Sequence, residues 1–345
     1  MTTPSGTAPP PIDPAVVQQF TAMTCGAWVT QMLHVAAELE LADALVGGER
    51  SVEQLAAGCG AHAPTLFRLL RALASLGVFA ETESGRFTLT PLAQLLRRDH
   101  PASLRQFARL LGAEHYLSWD GLLDSVRSGD NAFRRRHGTD VFTWYAAHPA
   151  RAEVFNGAMG DLSRLEVLAF LDAYPSFAEI RRLVDVGGCR GQLLEAVLTG
   201  HPHLNGTLFD QAAVVADLVP GAALAGRLDV EAGDFFSAVP AAADAYLLKH
   251  ILHDWHDEAC LTILGAIRRA MAPGARVLIL EPVIPPGNAP FPGKLLDINM
   301  LVMTEGGRER TAEEYADLLQ RGGFRLERIV PTAAAISVVE AFAAG

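Results

Sequence analysis

Between residues 248 and 258 the chain reads Leu-Lys-His-Ile-Leu-His-Asp-Trp-His-Asp-Glu, its densest run of reactive side chains. His250, His253 and His256 recur at intervals of three. Such a run could hold a metal or move a proton. On a helix His250 and His253 would share a face while His256 lay well round from them, and no cysteine stands nearby as in a structural zinc site. Proton transfer is the better reading, because an imidazole titrating near pH ~6.5 accepts a proton at neutral pH. A single histidine is more often structural, so its neighbours must decide.

A second group is built from acids and glycines. Asp185-Val-Gly-Gly-Cys-Arg-Gly191 follows a short apolar run, and glycines there permit a tight turn and close approach of backbone to a ligand. A dinucleotide fingerprint would place glycine at 187, 189 and 192. The residues are Gly187, Cys189 and Gln192, which disfavours nicotinamide cofactors. Asp210 ends the next apolar run, nineteen residues after Gly191, where an acid can accept hydrogen bonds from a ribose diol. Asp210 could equally cap the helix that follows it. Gly233-Asp234-Phe235-Phe236 comes after a third run, and an acid beside aromatic rings suits adenine, with core packing of the two rings as the plainer alternative.

These residues need strands and helices to hold them. Apolar runs at 182–186, 207–210, 228–231, 246–248 and 276–280 alternate with helical stretches at 192–198, 212–218 and 261–271, ended by Pro273-Gly274. That alternation predicts a mostly parallel, doubly wound sheet. Runs at 324–330 and 336–342 predict an antiparallel pair at its edge. Earlier in the chain, a capping box at Ser51–Gln54 starts one helix and Pro64 opens another carrying Leu66, Leu69, Leu70, Leu73 and Leu76. A hairpin over 79–90, turning at 83–85, follows; helix, turn, helix, hairpin is a winged-helix order. The expected division is a winged-helix-like domain over 1–100, with a disordered leader at 1–14, and an α/β domain over 101–345 that begins with a helical linker at 101–178.

Charge narrows the function. The chain has 345 residues, 39 acids against 28 bases, and 50% hydrophobic residues. Half-apolar composition excludes disorder for the bulk of the chain. Residues 1–110 hold nine acids and eight bases, and the helix that would read DNA carries only Arg68 and Arg71. A DNA reader needs a more positive face, so dimerisation is the expected role of that domain, with a DNA-binding regulator kept as an alternative. No apolar run approaches the ~20 residues a membrane span needs. Four scattered cysteines and no secretion signal imply a cytoplasmic protein with reduced thiols.

Taken in order, Leu183-Val-Asp-Val-Gly-Gly, Phe209-Asp210, Gly233-Asp-Phe-Phe, Leu248-Lys-His-Ile-Leu-His-Asp-Trp, Glu281-Pro and Gly306-Gly-Arg-Glu-Arg-Thr311 resemble the small-molecule O-methyltransferases of bacterial secondary metabolism and plant phenolic methylation. The resemblance runs from about residue 20 to the end. It implies a Rossmann-like methyltransferase sheet with an N-terminal dimerisation domain, a homodimer, S-adenosylmethionine (SAM) as methyl donor, S-adenosylhomocysteine as product, and no metal. It implies further that Asp185, Gly187 and Gly191 line the methionine part of SAM, with Ser163 a weaker contact. Asp210 would hold the ribose, Asp234 and Phe235 the adenine, and Lys249 the adenine side through its backbone or stem. His253 would be the catalytic base with Asp254 beside it, and Glu281 and Glu309 would hold its imidazole. Met159, Met300, Leu301, Met303 and Thr304 would line the pocket for an aromatic hydroxyl acceptor. A SAM-binding relative doing hydroxylation, decarboxylation or rearrangement is the competing reading. Cys189 departs from the family's usual glycine, and its side chain would intrude on the ligand unless the turn holds a negative φ there. Gln211-Ala-Ala departs from the usual Leu-Pro, and Arg190 could face either the methionine carboxylate or solvent.

Overall fold

In a computed structural model, residues 12–344 are described, so most of the leader expected at 1–14 lies outside the described residues. The chain divides between Ala113 and Glu114 into two compact units, whereas the sequence reading put the boundary at 100. In the first unit, helices α1 (Pro14–Thr24) and α2 (Gly26–Glu38) precede α3 (Val52–Cys59) and α4 (Ala63–Ser75). The capping box is present at the start of α3: Ser51 Oγ accepts from the Gln54 backbone, and Gln54 Oε1 accepts from the Ser51 backbone. Strands β1 (Phe79–Glu81) and β2 (Phe87–Leu89) pair antiparallel, with Phe79 opposite Leu89. Leu66, Leu70 and Leu73 of α4 pack with Phe79 and Phe87 in one core. On α1 and α2, Val16, Val17, Phe20, Met23 and Trp28 are exposed apolar residues.

The second unit is built on a seven-stranded sheet. Its strands are β3 (Arg182–Val186), β4 (Asn205–Asp210), β5 (Leu228–Ala232), β6 (Ala245–Lys249), β7 (Arg276–Glu281), β10 (Phe324–Pro331) and β11 (Ser337–Ala343). A separate two-stranded piece pairs β8 (Val283–Ile284) with β9 (Arg310–Thr311). The order in the large sheet is β10-β11-β7-β6-β3-β4-β5, parallel throughout except that β11 runs antiparallel to both β7 and β10. This is the mixed, doubly wound sheet with an antiparallel edge pair that the alternation predicted.

Both faces of the sheet are covered, which is why the strands read as continuous apolar runs. Leu183, Leu208, Leu247 and Leu278 face one core, shared with Phe170 of the long helix α5 (Pro149–Ala173) and Leu194 and Val197 of α6 (Gln192–Gly200). Val184, Phe209, Leu248 and Ile279 face the other, with Ile263, Leu264 and Ile267 of α7 (Asp257–Ala270) and Leu318 of α9 (Ala312–Arg321). Helix α8 (Pro292–Met303) lies between β8 and β9 in sequence.

Two expectations need correction. The stretch at 212–218 is helical only over Ala212–Val215. The histidine run is not a helix: Leu252–Asp254 is a single 3-10 turn, and α7 begins at Asp257 with His256 as its N-cap, accepting from the Ala259 N–H. Helical spacing therefore does not govern His250 and His253, although their rings still lie 4.9 Å apart.

Candidate active site

The chain passes from β3 to β4 and β5 on one side, then crosses to β6 and β7 on the other. Ligands in such sheets bind beyond the carboxyl ends of the strands at that reversal. Asp185, Asp210 and Lys249 all sit on strand residues near those ends.

Gly187 and Gly191 have φ of +70° and +78°, which glycine adopts without strain. The loop's own packing also requires its glycines. A Cβ at 187 would stand 2.4 Å from Ile251 Cδ1, and one at 188 would stand 2.5 Å from Asp185 Oδ2. Cys189 does not hold a negative φ: it sits at +53°, a left-handed conformation that costs a non-glycine residue about 1–2 kcal/mol. Its backbone N–H donates to Asp210 Oδ2 at 2.8 Å, a charge-assisted bond that helps offset the strain. Arg190 is tied to Asp217 at 2.8 Å on the surface, which takes it away from a role at the methionine carboxylate.

Asp185 is buried, and its Oδ2 has no hydrogen-bond partner among the described residues. Burial raises its pKa to about 7, with Asp210 adding to the rise and Lys249 opposing it. Gln192 Oε1, at the start of α6, is likewise buried without a partner among the described residues. A buried acceptor without a donor is costly, so a crevice with two of them fits a ligand that brings donors and positive charge. That is the chemistry of the ammonium and sulfonium of SAM. Asp210 accepts the Cys189 and Gln211 N–H groups and keeps lone pairs for a diol; its pKa is raised by burial.

Farther along the sheet edge, Asp234 is exposed and caps its own turn, accepting from Phe236 N and Ser237 Oγ. Phe235 and Phe236 form a cluster with Trp255 that packs against the core. The Lys249 ammonium pairs with Glu166 of α5 at 3.4 Å, which leaves its backbone and stem for any ligand. Glu166 also binds His250 Nε2 at 2.9 Å. Burial would raise the Glu166 pKa, but His250 and Lys249 outweigh it and hold the group at about 2. Sequence reading missed Glu166, because nothing local in α5 marks one acid of a long helix as facing a strand end.

The histidine at the centre is buried and held from several sides. Glu309 Oε1 lies 2.7 Å from His253 Nδ1. A carboxylate only accepts, so Nδ1 carries a proton in either state of the ring and Nε2 is the position that gains or loses one. Asp254 Oδ1 stands 3.6 Å from Nε2, too far for a good hydrogen bond. Burial opposes charge on the ring, but Asp254, Glu309 and Glu281 together raise the His253 pKa above its usual range. Burial likewise raises Asp254.

Glu281 does not hold the imidazole. Its Oε1 accepts the backbone N–H groups of Ile251, Leu252 and His253 at 2.9, 2.7 and 3.2 Å, and its Oε2 accepts the Tyr315 hydroxyl at 2.5 Å. Being on the last residue of β7, it fixes the loop rather than the ring. The fully buried Arg310 completes this hold, donating to the Leu252 and Trp255 carbonyls and to Asp257. Arg310 lies inside a motif singled out in the sequence, but its role there was not read. A Cβ at Gly307 would stand 2.5 Å from the His253 carbonyl, so that motif's glycine lets the chain pass close behind the histidine.

Met159 and Ser163 lie one turn apart on α5, with Ser163 buried. Met300 and Met303 are buried on α8 and Leu301 is half-buried. Thr304 is the C-cap of α8; its hydroxyl donates to the Met300 carbonyl, so it closes the helix and has no free donor for an acceptor. Among the described residues, no group of His, Cys, Asp and Glu is placed to hold a metal ion, and no helix is long and apolar enough to cross a membrane.

Comparison with known proteins gives this arrangement a context. A phenazine O-methyltransferase of Lysobacter antibioticus is 44% identical over 322 residues, covering 92% of this chain and 94% of that one. An aclacinomycin 10-hydroxylase of Streptomyces purpurascens is 38% identical, over 87% of this chain and 83% of its own. The structure of human N-acetylserotonin methyltransferase in complex with SAM superposes with a TM-score of 0.89 at 28% identity, covering 98% of this chain and all of that one. Residues 22–99 match the O-methyltransferase dimerisation domain and residues 119–325 the O-methyltransferase domain. The chain belongs to the SAM-dependent O-methyltransferase family.

Proposed function

We propose that this chain, as a cytoplasmic homodimer, methylates a phenolic or enolic hydroxyl of an aromatic metabolite with His253 as general base. The observation that carries the reading is the buried His253–Glu309 pair, with Nδ1 held by a carboxylate and Nε2 left as the position that exchanges a proton. SAM, when bound, supplies a methyl group already activated by the sulfonium. The chain's task is then to bind, align and unmask a nucleophile. A phenol with pKa ~10 is a poor nucleophile while protonated. In its neutral form His253 takes that proton at Nε2, and Glu309 stabilises the imidazolium that results. Glu281, Tyr315 and Arg310 hold the 251–255 backbone so that the ring stays where the proton is released.

Asp185, Gly187 and Gly191 border the methionine part of the donor and Asp210 its ribose, with Asp234, Phe235 and Lys249 toward the adenine and Ser163 nearby. Met159, Met300, Leu301 and Met303 form an apolar wall for the acceptor, and methionine repacks readily around different ring systems. The dimerisation domain and the exposed apolar residues of α1 and α2 support a second copy as partner, and the acidic balance argues against nucleic acid.

A second reading is favoured by the relative named as a hydroxylase: SAM binding without methyl transfer. One experiment separates them. Calorimetry of SAM with wild type, Asp210→Ala and His253→Ala is followed by product mass after incubation with phenolic acceptors. The methyltransferase reading expects SAM binding that Asp210→Ala weakens and His253→Ala spares, and a product heavier by one methyl. Full activity of His253→Ala would sink the assignment of the base, and a product lacking the methyl would sink the reaction.

A further inference from the structure

Glu166 binds two residues at the end of β6 and has no part in the reaction as read above. It lies on α5 in one stripe with Met159 and Ser163, at intervals of four and three residues. Its Oε1 accepts from His250 Nε2 at 2.9 Å and its Oε2 from Lys249 Nζ at 3.4 Å. Only 14% of the Glu166 side chain and 14% of the Lys249 side chain is exposed, so water and salt screen this pair weakly. His250 enters the arrangement at φ +54°, a left-handed conformation that the tie to α5 helps to hold. Glu166 stays ionised: burial would raise its pKa, but His250 and Lys249 hold it at about 2.

Lys249 is the last residue of β6, which lies beside β3 in the sheet. Its charge is felt along the loop that follows β3, where it opposes the burial-driven rise in pKa of both Asp185 and Cys189. A cation there favours the ionised form of Asp185, but it also repels any cation that enters the same crevice. SAM and S-adenosylhomocysteine share their ammonium, carboxylate, ribose and adenine. They differ by one methyl group and one positive charge at sulfur. An uncompensated Lys249 would therefore bear harder on SAM than on its product, and Glu166 is the group that compensates it.

We propose that Glu166 is a specificity-determining residue: by cancelling the charge of Lys249, it lets the crevice keep the sulfonium of SAM in preference to the neutral thioether of S-adenosylhomocysteine. The proposal rests on the reading above that Asp185, Ser163 and Lys249 border the donor. A clamp that merely fastened α5 to β6 would, when loosened, weaken both ligands alike. A charge effect separates them, because only one of the two carries charge at sulfur. The preference bears on turnover, since a product held as tightly as the donor delays the next cycle.

The test is calorimetric titration of the full chain with SAM and with S-adenosylhomocysteine, and the ratio of the two dissociation constants is the readout. Glu166→Gln keeps the shape and an oxygen for His250 but removes the charge. In that variant SAM affinity should fall about tenfold and S-adenosylhomocysteine affinity by no more than about threefold. Lys249→Met should move the ratio the opposite way, toward SAM, and so tests the charge argument even if Glu166→Gln folds poorly. The double variant, with both charges gone, should return the ratio to within about twofold of the wild type. Equal losses for both ligands in Glu166→Gln, an unchanged ratio, or a shift of the same sign in the two single variants overturns the proposal. So does a double variant that keeps the ratio of Glu166→Gln. Absence of binding of either ligand to the wild type would instead overturn the reading of the donor site itself, so the two failures are distinguishable.

Discussion

Glu281 and Asp185 occupy similar places, each a buried acid at or near the carboxyl end of a parallel strand, yet their surroundings differ sharply. Glu281 accepts three backbone N–H groups and the Tyr315 hydroxyl, so the protein itself satisfies it. Asp185 has an oxygen with no partner among the described residues and a pKa pushed up to about 7 by burial. The first environment is complete before any ligand arrives, and its work is to hold the loop that carries His253. The second leaves an oxygen of Asp185 able to accept from a donor or a cation. A polar group that the protein satisfies needs nothing more, whereas a buried acid left short of donors at a strand end has capacity for a ligand.

This contrast is sharpened by changing each side in turn. The largest effect is expected at His253, where His253→Ala should lower the methyl-transfer rate about 10²–10⁴-fold with SAM affinity nearly unchanged. Rapid-quench or steady-state assays with a productive phenol, beside calorimetry, measure both quantities. A comparable loss of SAM affinity would mean that the two regions are not separate.

Next comes Glu309→Gln, expected to lower the transfer rate about 10–100-fold. Its pH dependence carries more information than its size. The raised His253 pKa means that the ring keeps its proton to higher pH than a free histidine, and only the neutral ring can accept one. Turnover should therefore rise with pH through that pKa. Removing the Glu309 charge should move the rising limb toward acid, and an unmoved limb would assign it to another group. The same shift contributes to folding with a definite sign: the charged ring stabilises the folded chain fully below its unfolded pKa of about 6.5, and that contribution is lost as pH rises through the higher folded value.

On the other side of the comparison, Asp185 should couple SAM affinity to pH. Its carboxyl is half-protonated near pH 7 in the free chain, and a cationic ligand favours the ionised form. Below pH 7 binding must first remove a proton, so SAM affinity should fall about tenfold for each pH unit. Calorimetry in two buffers of different ionisation enthalpy would detect the released proton. Asp185→Asn should flatten the dependence; a slope that survives it points to Asp210, whose pKa burial also raises.

Much of this was legible in the sequence, for reasons that also explain what was not. Continuous apolar runs bounded by turn residues predicted strands such as 182–186 and 324–330 to within a residue or two of their observed ends, because both faces of the sheet are buried and the signal is strong. The strand-end positions of Asp185 and Asp210 were legible too, since each closes or nearly closes an apolar run. Three kinds of residue were not. Glu166 and Gln192 are placed by the tertiary packing of α5 and α6, and no local pattern reports this. The role of Glu281 was misassigned because sequence order cannot separate an acid that binds a ring from one that binds the backbone beside it. The three-residue spacing of the histidines misled, because a helix was assumed where the chain makes one tight turn and His250 takes a positive φ.

The smallest expected effect, and the finest test of how the crevice is built, is at Cys189. At φ +53° a glycine would remove a strain of about 1–2 kcal/mol, but it would also enlarge the entropy of the unfolded chain by roughly 0.5–1 kcal/mol. The sulfur contributes little in compensation, since its contact with Asn156 is 4.0 Å long. Cys189→Gly should therefore stabilise the chain by about 0.5–1 kcal/mol, a rise in melting temperature of roughly 1–4 °C, with SAM affinity changed by no more than about threefold. Cys189→Val, β-branched and poorly suited to positive φ, should lower the melting temperature and weaken SAM binding, because the strained turn delivers the backbone N–H that holds Asp210. If glycine instead destabilises and valine is tolerated, the left-handed turn is not the conformation the loop keeps in solution, and the contrast with Glu281 must be redrawn around a mobile Asp210.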